Sequence, residues 1–430
     1  AASYGISRCW NTGCNTMRSG LLALWLFATG VHAQSDFSAW LRDFRQEALT
    51  RGISQTTLDS ALGDVQAAPR VIELDRKQPE FADTFIQYLE RRVTPRNVAE
   101  GQALLLEHHA LFDEVEKRYG VPKEILAAFW GLETNYGATT GNTLIPAALA
   151  TLAFDGRRSA FFRAELLDAL AIIEAGHVTA AEMKGSWAGA MGQMQFMPST
   201  FRRYAVDGDN DGRINLWTSL PDALHSAGNY LKQAGWKTGE PAALAVRLPQ
   251  DFEWRYARLY YRRPVGEWQA AGVVLAGGAP LPVHQGRASI ILPQGARGPA
   301  FMVFDNFDVI LQWNRSVSYA LSVAILADQF AGNASLPTAG DSDSALSHAQ
   351  LVSLQQQLTE LGFDAGPPDG LPGIKTQSAI RRYQVTHQLP ADGYPSTPLL
   401  FHVQYTHAVA AGRGKLNPPR VAPVFSDPAP

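Results

Sequence analysis

Cysteine is nearly absent from this chain of 430 residues: both examples, Cys9 and Cys14, stand before residue 17. Met17 opens the stretch MRSGLLALWLFATGVHAQ. Arg18 supplies a positive start, Leu21 to Thr29 a short apolar core, and Val31-His32-Ala33 a small-x-small cleavage site, the layout of a secretory signal peptide. A buried N-terminal helix is the alternative. Residues 1–16 read as upstream sequence, so cleavage after Ala33 is expected to leave a protein without cysteine. That excludes disulfides, thiol chemistry and lipid attachment at a cysteine. A zinc site is excluded too, because the histidines lack ligand spacing and His108-His109 point to different helix faces. Long apolar runs are also missing, since the 21–29 core falls short of the roughly 20 residues that span a bilayer. Charge of one sign is lacking as well. Lys plus Arg number 37 against 40 Asp plus Glu, a net −3, so no basic field points to nucleic acid. An exported, soluble protein without a lipid anchor is expected, in the periplasm and monomeric.

What is present suits globular domains: 46% apolar and 18% charged residues, with length for two or three cores. From Asp36 to about Gly120 the apolar spacing is helical, through Phe37, Leu41 and Phe44 and then Leu104, Leu105, Leu111, Phe112 and Val115. More helices, broken by glycine-rich turns, follow to about residue 239. Between 240 and 308, Arg287–Leu292 and Ala300–Phe304 are short strand-like runs bounded by Gly and Pro. Helical periodicity returns over 309–332. Residues 333–347, rich in Ser, Ala, Asp and Gly, read as a linker. A small helical unit over 348–410 carries the stripe Leu351, Leu354, Leu358 and Leu361 and a second through Ile380 and Tyr383. Each stripe is followed by an Asp-Gly turn, at Asp369-Gly370 and Asp392-Gly393. The Pro-rich tail, 411–430, reads as disordered. The fold class is therefore α+β and mainly α-helical, with a small β-rich subdomain and a small helical C-terminal domain.

The chemistry gathers between residues 121 and 217. In the run Val121 to Gly137, Gly120 ends one helix and Pro122 suits the first turn of the next. Ile125, Phe129 and Leu132 share its buried face, which leaves Glu133 in the last turn. The negative end of the helix dipole and the aromatics Phe129, Trp130 and Tyr136 disfavour a carboxylate there. Both raise its pKa, as suits a general acid near neutral pH. By position alone, an exposed helix-end Glu is the alternative. The segment Gly185 to Thr200 is too rich in Gly and small residues for a plain core helix. Small residues admit a polymer close to the backbone, and Ser186 and Gln195 suit sugar hydroxyls and amides. A tight helix-packing loop is the alternative. Asp207-Gly208-Asp209-Asn210-Asp211-Gly212-Arg213 places oxygen donors at positions one, three and five, Gly at six and a backbone carbonyl at seven, the EF-hand pattern for Ca²⁺. The twelfth position is Thr218 in place of a bidentate Glu. An acidic turn without metal is the alternative. No organic cofactor is indicated.

Together these segments resemble the lytic murein transglycosylases of the B family over roughly residues 36 to 330. The motifs that carry the resemblance are Glu133-Thr134-Asn135-Tyr136-Gly137, Ala150–Phe154 with Arg157-Arg158, Gly185–Thr200, Asp207–Trp217, and Trp313-Asn314 with Tyr319. The resemblance implies a lysozyme-like core, residues 121–239, within a catalytic region of 34–332. It implies Glu133 as sole catalytic carboxylate, acid and then base, cleaving between N-acetylmuramic acid and N-acetylglucosamine to leave a 1,6-anhydro end. Ser186 and Gln195 would orient substrate, and Tyr136, Asn314 and Tyr319 would line the site, Asn314 at the acetamido carbonyl or positioning Glu133. Trp313 stands where the family's pattern has a Tyr. Arg157 and Arg158 would meet anionic muramoyl or stem-peptide groups, with a solvated surface pair as the alternative. In the family the acidic loop is longer and closes with a later Asp, so Asp222 would join Asp207, Asp209, Asp211 and Arg213 around a structural Ca²⁺. The C-terminal unit resembles a peptidoglycan-binding domain through Leu354–Leu358, Pro368-Asp369-Gly370, Gly373–Thr376, Ala379-Ile380 and Tyr383-Gln384. Protein docking is its alternative, and other cell-wall enzymes are possible partners. A hydrolytic muramidase and a catalytically silent wall-binding scaffold are the competing functions.

Overall fold

The computed structural model describes residues 36–76, 83–333 and 345–412. The signal-like segment, the upstream residues and most of the linker and tail lie outside the described residues. The chain forms two compact units, one holding 36–76, 142–190 and 197–199, the other most of the remainder.

In the first unit, residues 36–50 are helical and bury Phe37, Leu41, Phe44 and Ala48, the stripe expected from the spacing. The apolar helix Ile145–Phe154 packs along Ser159–Glu174. Thr151 ties this pair to the chain before helix Pro69–Arg76 by accepting from the Ala68 N–H at 3.1 Å. A two-stranded ladder, β1 (Thr143–Leu144) with β2 (Lys184–Gly185), closes the unit.

The second unit is built around helix Lys123–Thr134. Gly120 ends the preceding helix at φ 72°, a left-handed value that glycine adopts without a Cβ clash. Every residue from Ile125 to Leu132 is buried, so this helix is enclosed on all sides. It packs against helices Pro95–Glu107 and Val317–Phe330. The apolar stripe expected over 104–115 is divided between two helices, Pro95–Glu107 and His109–Tyr119, which meet at His108. A larger difference comes later. Periodicity over 309–332 reads as one helix, yet two are present, Asp305–Trp313 and Val317–Phe330. Polar side chains make the break. Asn314 Oδ1 accepts from the Ser316 N–H at 3.0 Å, and Ser316 Oγ caps the second helix by accepting from the Tyr319 N–H at 3.2 Å.

The β-rich subdomain is a five-stranded antiparallel sheet of order β4-β6-β7-β3-β5. Its strands are β3 (Ala243–Arg247), β4 (Arg263–Pro264), β5 (Val274–Leu275), β6 (Arg287–Ile291) and β7 (Ala300–Val303). Trp268, Phe252, Ile290 and Met302 fill one side, with the Trp268 indole donating to the Ala288 carbonyl at 2.8 Å. The C-terminal module has three helices, His348–Glu360, Ile374–Thr386 and Thr397–Ala410, around Leu354, Leu358, Ile380, Tyr383 and Val403. Both Asp-Gly turns are clamped alike. Gln355 donates to Asp369 Oδ1 at 3.0 Å and accepts from the Gly370 N–H at 2.9 Å; Gln384 does the same with Asp392 at 2.7 Å and Gly393 at 2.8 Å. The second turn also docks, since Asp392 Oδ2 accepts from the Ala296 N–H at 2.8 Å. The mainly helical α+β class is thus the one observed.

Gly131 is where the central helix tolerates no side chain, because a Cβ there would lie 2.8 Å from the Tyr136 ring. Gly131→Ala is expected to lower stability by about 1–3 kcal/mol through overpacking. Urea unfolding measures this, and an unchanged midpoint would show that Tyr136 moves aside freely.

Candidate functional site

Glu133 stands in the last turn of helix Lys123–Thr134, half-buried among buried neighbours. Two donors converge on its Oε1, the Trp313 indole N–H at 3.0 Å and the Tyr319 hydroxyl at 2.5 Å. They come from opposite sides of the helix break at 314–316, so the break places both on one carboxylate oxygen. An aromatic surround fixes the indole, with Phe129, Tyr230 and Phe196 ring centres 4.4, 4.9 and 5.3 Å from it. Burial pushes the Glu133 carboxyl above the ordinary range, and the Tyr319 and Trp313 hydrogen bonds and the Arg92 charge pull it back. Arg92 itself donates to the Leu132 carbonyl beside Glu133. Burial also holds Tyr319 well above its ordinary range, so it is a hydrogen-bond donor at any working pH.

Beyond Glu133 the chain leaves the helix through three successive left-handed residues, Asn135, Tyr136 and Gly137, at φ 50°, 57° and 84°. For a tyrosine that conformation costs of order 1–3 kcal/mol and persists only where neighbours enforce it. They do so here. The Tyr136 N–H donates to Trp130 O at 3.2 Å, its hydroxyl donates to Asn97 O at 2.5 Å, and its ring meets Trp130 edge-on. Tyr136, expected at the substrate, has a buried ring and a hydroxyl engaged by Asn97 O, and in this position it also braces the helix exit. Thr134 Oγ1 donates to Gln193 O at 2.8 Å, and Gln193 Oε1 accepts from the Trp130 indole at 2.9 Å. Gln195 follows at φ 49°, its Nε2 donating to Thr140 O and Gly192 O, both at 3.0 Å. The carboxamide nitrogen is therefore committed, which leaves Oε1 as its acceptor.

Asn314 engages the helix break through Oδ1, while the hydrogen bonds to Glu133 come from Trp313 and Tyr319. In the first unit, Ser186 Oγ accepts from the Ala190 N–H at 3.0 Å and shapes the turn over 186–190. Arg157 and Arg158 both reach Asp75, Arg157 donating to its carbonyl at 3.0 Å and Arg158 pairing with its carboxylate. Each stays about half exposed (50% and 51%), so both keep surface for another anion. Arg92 carries no signal in the sequence motifs, because a motif centred on Glu133 says nothing of an arginine 41 positions earlier.

The carboxylates of Asp207, Asp209 and Asp211 converge, with oxygens within 4.8 Å of one another. Asn210 and Gly212 at φ 60° and 88° bend the loop around them. Asp222 is not in that cluster. One of its oxygens accepts from the Gly208 N–H and the other from the Asn215 N–H, both at 2.6 Å, so it staples the loop base.

A family model described as the transglycosylase SLT domain matches residues 36–328. The chain belongs to the transglycosylase SLT family. A second model, for a peptidoglycan binding domain, matches residues 347–400. Membrane-bound lytic murein transglycosylase B of Escherichia coli strain K12 is 36% identical over 245 residues, which are 56% of this chain and 65% of that protein. The chain thus spans just under two thirds of the length of the curated relative it matches. Among solved structures, SltB3 from Pseudomonas aeruginosa in complex with NAG-anhNAM-pentapeptide is 46% identical with a TM-score of 0.83, covering 86% of this chain and 99% of that one. The Escherichia coli lytic transglycosylase SLT35 in complex with calcium is 31% identical with a TM-score of 0.58, covering 69% of this chain and 93% of that one.

In this family member the two donors to Oε1 favour the ionised carboxylate, so losing either raises its pKa further. NMR titration of glutamate-labelled protein is expected to place Glu133 above the roughly 4.3 of a free side chain. Trp313→Phe and Tyr319→Phe are each expected to move it higher, and a downward shift would contradict the assignment.

Proposed function

We propose that the chain is an exported lytic transglycosylase that cleaves the β-1,4 bond between N-acetylmuramic acid and N-acetylglucosamine in peptidoglycan. The observation that carries this reading is the enclosed Glu133 carboxyl, pinned through one oxygen by Trp313 and Tyr319. The Arg92 charge also acts on this carboxyl and favours its ionised form. Hydrolases of the usual kind set two carboxyl groups about 5–9.5 Å apart across the scissile bond. One group that cycles its proton suffices for an intramolecular reaction. Glu133, protonated, gives its proton to the glycosidic oxygen as the C1–O bond breaks. The muramoyl C6 hydroxyl then closes on C1, and Glu133 takes that hydroxyl's proton. The product is a 1,6-anhydro end, no water is consumed, and Glu133 is returned protonated. Membership of the family, and the anhydro-sugar ligand of the similar SltB3, support this route. Gln195, through Oε1, and Ser186 orient the sugars in this reading, while Arg157 and Arg158 meet acidic groups of the strand.

The acidic loop reads as a structural Ca²⁺ site. Three carboxylates held this close repel one another unless a cation offsets them, and oxygen-only donors match a hard cation. Asp207, Asp209, Asp211 and the Arg213 carbonyl would hold it, with Asp222 anchoring the loop base; the calcium complex of SLT35 supports the assignment. The C-terminal module would tether the enzyme to the insoluble wall and raise the local concentration of strands. Export follows from the signal-like segment, with the periplasm as destination; no helix among the described residues is long and apolar enough to cross a membrane.

Mass spectrometry of digested murein is expected to show anhydro-muropeptides. Reducing muropeptides would instead indicate a muramidase, and no soluble product a scaffold. Glu133→Gln is expected to lower the cleavage rate by at least about 10³-fold while strand binding persists. A variant near full activity would sink the mechanism. Calcium at a hundred times its Kd is expected to stabilise the protein by about 2.7 kcal/mol. Asp209→Asn should reduce that gain in a thermal melt, and a calcium-insensitive parent protein would refute the site.

A further inference from the structure

The C-terminal module and the β-rich subdomain meet along a groove of about 630 Å³, distinct from the surroundings of Glu133. Four arginines line it, Arg255 and Arg258 from the subdomain and Arg381 and Arg382 from helix Ile374–Thr386, and no Asp or Glu does. The local neutralisation is incomplete. Arg255 pairs with Glu253, outside the lining, whereas Arg381 and Arg382 donate to the backbone carbonyls of Ala257 and Asp364 at 3.3 and 3.2 Å. The Arg381 Nε is buried without a partner. Burial depresses the Arg381 pKa, the like charge of Arg258 adds to this, and the Asp392 carboxylate opposes it in part. Beside them the same helix exposes Ile374 (88%) and Val385 (62%), so apolar surface flanks the guanidinium groups.

We infer that this groove binds the carboxylates of a peptidoglycan stem peptide, on strand that is not being cleaved. A peptide with a free C-terminal carboxylate and small apolar side chains complements it. The carboxylate takes the forked guanidinium donors, which suit it bidentately, and the alkyl side chains cover Ile374 and Val385. SltB3 from Pseudomonas aeruginosa, similar to this chain, is in complex with NAG-anhNAM-pentapeptide and with NAG-NAM-pentapeptide. The groove is shared by both parts, so a bound peptide also strengthens their docking at Asp392 and Ala296. The inference rests on the proposed reading of the chain as a peptidoglycan enzyme and names a second contact for its substrate.

The test uses the full chain with Glu133→Gln, so that nothing is cleaved, titrated calorimetrically with a free stem pentapeptide and with its C-terminal amide. The acid is expected to bind, and the amide roughly tenfold more weakly. Arg258→Gln with Arg382→Gln is expected to reduce affinity for the acid by at least about tenfold, and Arg→Lys at both positions to restore part of it. A melting temperature equal to that of the parent shows that the variant folds. Equal affinity for acid and amide, or no loss in the double Gln variant, overturns the inference. So does binding of short polyphosphate or anionic lipid vesicles in the absence of peptide binding. Murein digested by the unaltered enzyme separates the two levels. Anhydro products without peptide binding overturn the groove alone, and no products at all overturn the underlying reading.

Discussion

One carboxylate oxygen, Glu133 Oε1, receives an indole N–H and a phenol O–H from two consecutive helices, and the surrounding helices are arranged around that convergence. The donors belong to Trp313 and Tyr319, which an unbroken helix would carry on different faces, since six residues are well short of two full turns. Ending the first helix at Asn314 and capping the second with Ser316 brings both to the same atom. The central helix beneath them is buried on every side, so the carboxyl is held by rigid neighbours, and the energetic cost of enclosing it appears as a raised pKa. Enclosure and hydrogen bonding thus pull in opposite directions. Enclosure favours the neutral acid and the donors favour the ion, which suits the acid-then-base role proposed for it.

The residues that punctuate the chain made much of this legible. Gly120, Pro122 and Gly137 bracket the Glu133 helix, and their conformational preferences are local, so the helix and the carboxyl at its end could be placed without tertiary information. The Gly-rich segment after Gly185 was likewise readable as something other than a core helix. The late break was not readable, because apolar spacing continues across 314–316 and only the capping bonds of Asn314 and Ser316 interrupt it. Tyr136 and Asp222 illustrate a second limit. A tyrosine three residues after Glu133 and an aspartate after an acidic loop look like ligands in sequence, and which backbone groups each engages is decided by packing. Arg92 and Gln193 are remote from Glu133 in sequence and reach its surroundings through the fold alone.

The C-terminal module shows how little chemistry is needed to repeat a structural unit. A helix glutamine grips the backbone and side chain of an Asp-Gly turn, once through Gln355 and once through Gln384, and in each copy Oδ1 of the aspartate also accepts an N–H two residues on, at 2.9 Å. The amide satisfies the turn from inside, where water would otherwise be needed.

The two copies nonetheless differ in one atom's use, and this divides two duties within a single side chain. In Asp392, Oδ1 closes the module's own turn while Oδ2 accepts from Ala296 in the neighbouring subdomain. One oxygen thus serves the module's own turn and the adjacent one its contact with the subdomain. An isosteric amide at this position that kept its oxygen toward the turn would set an N–H against the Ala296 N–H. The module would then keep its turn while one of its contacts with the subdomain became repulsive, which makes residue 392 a place where the mounting of the module can be loosened without unfolding it.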